Sequence, residues 1–102
     1  MTDIAETPSS TDLDEAAELL RALASTIRIQ IVLALQQGPR LVGELVTQLD
    51  VSQPLVSQHL KVLRAAGVVR SQRQAQAVSY QLVDEHLAHI VADAVIHVHE
   101  RH

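Results

Sequence analysis

Apolar residues recur at helical spacing through most of the chain. Leu13, Ala16, Leu20 and Leu23 form the first stripe, with Thr11 or Asp12 able to cap its start, which predicts a helix to about Ala24. Ile27, Ile31 and Leu35 predict a second helix that begins at Ser25 or Thr26 and stops at Gly38-Pro39. A short third helix is expected over about Leu41 to Leu49. After Asp50-Val51, Ser52 caps a fourth helix, in whose first turn Pro54 is tolerated. Val56, Leu60 and Leu63 supply its buried side, and Gly67 ends it. Residues 1–10 show no such period and predict a mobile tail, which leaves 11–102 as the folded domain.

The period changes after Gly67. Val68 to Arg73 and Val78 to Leu82 are β-prone runs joined by polar Gln74-Ala75-Gln76-Ala77, the pattern of a hairpin. A last helix from about Asp84 to Glu100 places Leu87, Ile90, Val91, Ala94, Val95 and Val98 on one face, suited to burial against another helix. The expected fold class is mainly α with a small β-hairpin. Tyr80 is the only aromatic residue, so the core must be built from Leu, Ile, Val and Ala, which suits packed helices better than sheets. At 102 residues the chain is one domain, near the size where dimerisation adds useful buried surface.

The absence of cysteine excludes disulfides, thiolate nucleophiles and thiolate metal sites, leaving His, Asp and Glu as metal ligands. No nucleophile has an evident base, so an enzyme is not expected. No apolar run approaches a membrane span, and a cytoplasmic location is expected. The net charge of -4 is unevenly placed. Acids dominate residues 1–20, whereas 40–73 carry Arg40, Lys61, Arg64, Arg70 and Arg73 against only Glu44 and Asp50. A locally basic middle is what a DNA-facing segment needs, because phosphate contacts depend on local charge.

Two helices joined by a tight turn, the second exposing short polar side chains near its start, are the parts that enter a major groove. Gln53, Ser57 and Gln58 can hydrogen-bond base edges, while Lys61 and Arg64 suit phosphates. His59 fits a helix-packing or capping role as well as a DNA contact. The stretch SQPLVSQHLKVLRAAGVV, with ELVTQL before it, VSYQL after it and LLRALASTIRIQIVLAL upstream, resembles the ArsR/SmtB repressors over roughly residues 13–100. The resemblance implies a winged helix-turn-helix homodimer joined through its terminal helices. It also implies that the helix holding Gln53, Ser57 and Gln58 reads inverted-repeat operator DNA, with Arg73 in the wing. Family members often carry glycine and a basic residue at the wing tip, where this chain has Ala75 and Gln76.

Asp84, His86, His97 and Glu100 have the spacing D-x-H-x10-H-x2-E. His86 and His97 return to one helix face but lie about 16 Å apart along its axis, so one ion with ligands near 2 Å cannot touch both in one chain. Two copies packed antiparallel, crossing near Val91 and Ala92, would bring His86 to His97 and Asp84 to Glu100. Each of two symmetric sites then takes two ligands from each chain, with Asp84 expected at the N-cap. Two imidazoles and two carboxylates suit tetrahedral zinc. The spacing also matches the C-terminal-helix zinc site of SmtB-like sensors. The family's cysteine-based site is absent, which argues against arsenic, cadmium or lead sensing. His89, Asp93, His99 and His102 are either solvated residues or further ligands for nickel or cobalt. The expected function is a repressor that binds its operator without metal and leaves it with zinc. Nickel or cobalt response, and zinc buffering without a DNA target, are the alternatives.

Overall fold

The computed structural model describes residues 7–101. Residues 1–6, which carry most of the expected tail, and His102 lie outside the described residues. The elements run α1 (Ser10–Leu23), α2 (Thr26–Gln36), β1 (Arg40–Leu41), α3 (Val42–Leu49), α4 (Gln53–Ala65), β2 (Val69–Gln74), β3 (Ala77–Leu82) and α5 (His86–Glu100).

Local chemistry sets most of these limits. α1 starts before its apolar stripe, because Ser9, not Thr11 or Asp12, is the N-cap. The Asp12 N–H donates to Ser9 Oγ at 3.1 Å and the Ser9 N–H to the Asp12 carboxylate at 3.2 Å, a reciprocal capping box. Ser10 is therefore helical and does not belong to a tail. α2 is capped by Ser25, whose Oγ accepts from the Arg28 N–H at 3.4 Å. Asp50 closes α3 with φ 57°, a left-handed conformation that Asp tolerates better than most residues. α4 opens on Ser52, whose Oγ accepts from the Leu55 N–H at 3.4 Å.

The end of α4 needs Gly67. The Val68 N–H donates to the Leu63 carbonyl at 2.9 Å and the Gly67 N–H to that of Arg64 at 3.1 Å, while Gly67 takes φ 77°. This glycine-centred cap turns the chain into β2 and places buried Val68 beside buried Leu63.

β2 and β3 form the expected hairpin, with β2 shifted one residue along the chain and β3 starting one residue earlier, so that Gln74 pairs with Ala77 and Val69 with Leu82. β1 adds a short antiparallel edge, giving the order β1-β3-β2. Two residues are too few to show alternation, so the sequence pattern did not predict it.

Buried Ile31, Val32, Ala34 and Leu35 make α2 the centre of the core, on which Leu45 of α3, Val56, Leu60 and Leu63 of α4, and Leu87, Ala88 and Val91 of α5 converge. The terminal helices bury only part of their predicted faces. Leu13 and Leu20 of α1 are 57% and 53% exposed, and Ile90, Val95 and Val98 of α5 are 47%, 42% and 46% exposed. Among the described residues of one chain, nothing covers these stripes. The helical hairpin α3–α4 and the β2–β3 wing together form a winged helix-turn-helix.

Candidate functional site

α4 is amphipathic, with Val56, Leu60 and Leu63 fully inside and Gln53, Ser57, Gln58, Lys61 and Arg64 exposed. The five predicted readers therefore share the solvent side of one helix. Neither Lys61 nor Arg64 enters an ion pair among the described residues, which leaves both charges available to an outside anion. Arg73 is exposed near the far end of β2, opposite Val78. Ala75 makes the turn with φ 56°, a conformation that favours glycine. Arg70, by contrast, is engaged within the wing: with the Gln81 amide turned toward it, the Gln81 oxygen accepts from Arg70 Nε at 2.7 Å and Nη2 at 3.0 Å.

His59 belongs to the packing side of α4. It is partly buried, with Nδ1 3.5 Å from Nη1 of Arg28 on α2. Burial and then the neighbouring Arg28 charge hold its pKa below the usual histidine value, so the ring is neutral at neutral pH. Sequence reasoning did not single out Arg28, because no helical or strand period links positions 31 apart.

α5 starts at His86 with Glu85 as its N-cap, so Asp84 stands one residue earlier than expected. Its role is nonetheless that of a cap, since Oδ1 accepts from the His86 N–H at 3.0 Å. The same oxygen lies 3.6 Å from His86 Nδ1, and both side chains are open to solvent. His97 and Glu100 are exposed in the last turns of the same helix. Eleven residues of helix, about 16 Å, separate His97 from His86. The chain thus brings Asp84 to His86 but does not bring that pair to His97 and Glu100. Among the described residues, no three His, Asp or Glu side chains of one chain are placed to hold an ion. His89, Asp93 and His99 are also exposed.

Residues 25–71, which span α2 to the start of β2, match the model of the bacterial regulatory protein arsR family. The chain is 61% identical over 88 residues to the HTH-type transcriptional repressor SmtB of Mycobacterium tuberculosis, covering 86% of this chain and 65% of that one. It is 34% identical over 88 residues to the transcriptional regulator NmtR of the same organism, covering 86% of this chain and 73% of NmtR. In structure it is similar to the homodimeric winged helix-turn-helix DNA-binding domain of Mb0332 from Mycobacterium bovis. There the TM-score is 0.80 at 26% identity, covering 97% of this chain and 93% of that one. On these similarities and its own helix-turn-helix, the chain belongs to the arsR family of bacterial regulatory proteins.

Proposed function

We propose that this protein is a homodimeric transcriptional repressor that binds inverted-repeat operator DNA without metal and releases it when a zinc ion is held between its C-terminal helices. The observation that carries the DNA reading is the solvent side of α4, where Gln53, Ser57, Gln58, Lys61 and Arg64 lie together opposite a buried apolar side. The names of its relatives, a transcriptional repressor and a homodimeric DNA-binding domain, agree with it. Gln53, Ser57 and Gln58 read base edges; Lys61, Arg64 and wing residue Arg73 contact phosphates.

The open stripes on α1 and α5 support the dimer, because a second copy would remove Leu13, Leu20, Ile90, Val95 and Val98 from water. Antiparallel α5 helices then bring Asp84 and His86 of one chain to His97 and Glu100 of its partner. The donor set fits zinc: Asp84 and His86 already stand side by side, and two imidazoles with two carboxylates meet a tetrahedral demand while balancing charge. When bound, the ion supplies a cross-link between the two α5 helices. His89 and Asp93, exposed on the same helix, make a six-coordinate nickel or cobalt response the second reading.

Substitutions on α4 separate the two kinds of DNA contact. Lys61→Ala and Arg64→Ala should weaken binding to every DNA sequence and lower the slope of log affinity against log salt by about one each. Gln53→Ala and Ser57→Ala should instead cost about 1–3 kcal/mol of discrimination between operator and random DNA. Binding titrations at several salt concentrations read both effects. Full selectivity in both the Gln53 and Ser57 variants would remove these residues from base reading.

A further inference from the structure

Arg28 carries its charge into a partly buried position on α2. Its Nε is buried without a hydrogen-bond partner, and among the described residues His59 is the one side chain that offers its guanidinium an acceptor. The acids of α1 that line the same groove, Asp14, Glu15 and Glu18, make no ion pair with it, and Glu18 is taken by Arg21 at 2.6 Å. The contact joins α2, the centre of the core, to the flank of α4, one residue from Gln58 and two from Ser57 and Lys61.

We propose that Arg28 and His59 are a positioning pair for the DNA-reading helix: neutral His59 accepts from Arg28, this contact sets how α4 lies on α2, and protonation of the ring breaks it and weakens operator binding. The inference rests on the DNA reading of α4 given above.

Arginine keeps its charge at every relevant pH, and a protonated imidazole has donors only. Protonation therefore exchanges a hydrogen bond for two cations 3.5 Å apart at a partly buried position. Other charges near α4 do not take over the role of acceptor. From α3, the Glu44 carboxylate is held by the Leu41 N–H at 2.8 Å and Asp50 caps the helix end. From β2, Arg70 and Arg73 add only positive charge. Because the folded pKa of His59 lies below the unfolded value, the pair's contribution to stability is present above about pH 6.5 and is lost as pH falls through the folded value. The sign for DNA is diagnostic, since a histidine beside phosphates would bind DNA more tightly once protonated.

The test measures operator affinity of the full chain in chelator, at constant salt, between about pH 7.5 and 5.5. Three proteins are compared: wild type, His59→Gln and Arg28→Gln, whose new amide can still donate to the ring without adding charge. Wild type should lose about three- to tenfold more affinity on acidification than His59→Gln, tenfold per pH unit being the limit for one linked proton. Arg28→Gln should keep its affinity at the upper pH and show a shallower loss. The α5 histidines are common to all three proteins and cancel. If His59→Gln melts before binding can be read, Arg28→Gln carries the comparison. Equal pH slopes in wild type and variants, or His59-dependent tightening in acid, would overturn the pair's role. Failure of wild type to prefer operator at any pH would instead overturn the DNA reading, and the pair with it.

Discussion

Mixing His86→Ala protein with His97→Ala protein should restore one tight zinc site per heterodimer, although neither homodimer keeps one. The expectation comes from helix geometry. His86 and His97 stand at opposite ends of one α5, about 16 Å apart, so each site must draw on both chains. In a His86→Ala homodimer both sites lack one imidazole, and in a His97→Ala homodimer both lack the other. With roughly 10–16 kcal/mol spread over four ligands, each loss costs about 3 kcal/mol, or on the order of a hundredfold in affinity. In the mixed dimer, intact Asp84 and His86 of the His97→Ala chain face intact His97 and Glu100 of the His86→Ala chain. The opposite site has lost both histidines. Zinc titration of purified heterodimers should therefore give one tight equivalent. Heterodimers no better than either parent would reject both the sharing of ligands and the antiparallel crossing near Val91 and Ala92.

Leu60→Ala should cost about 2–5 kcal/mol, a large part of the about 5–15 kcal/mol available to a small domain. Leu60 is 1% exposed and belongs to the cluster that seats α4 on α2 and α3, so truncation leaves a cavity instead of admitting water. Denaturant unfolding at fixed protein concentration measures the loss. Concentration must be fixed because the apparent stability of the proposed dimer would depend on it. A cost below about 1 kcal/mol would mean that α4 is seated by other contacts.

How far these features could be read from sequence depends on the range of the interactions that make them. The exposed polar face of α4 was legible, because Val56, Leu60 and Leu63 at helical spacing leave Gln53, Ser57, Lys61 and Arg64 on the other side. The hairpin was legible from two β-prone runs around a polar turn. The start of α1 was misplaced because two serines lie before Thr11, and only the exchange of hydrogen bonds between Ser9 and Asp12 selects one of them. β1 depends on pairing with residues 79 and 80 far along the chain and has no local signature. The Arg28–His59 contact was hidden for the same reason: a packing role for His59 was open, but its partner 31 residues away is set by tertiary packing and not by any local period. The apolar stripe of α5 suits a face for another helix, and one chain buries only Leu87, Ala88 and Val91 of α5. The separation of His86 from His97 was legible because both lie on that one helix, which fixes it.

Titration of inverted-repeat operator DNA with the full chain, once in chelator and once with saturating zinc, bears most directly on the proposed metal-controlled repressor. The metal-free protein should bind operator tightly, and zinc should weaken that binding by about 5–150-fold, with DNA weakening zinc binding by the same factor. Tight zinc binding with unchanged operator affinity would contradict it.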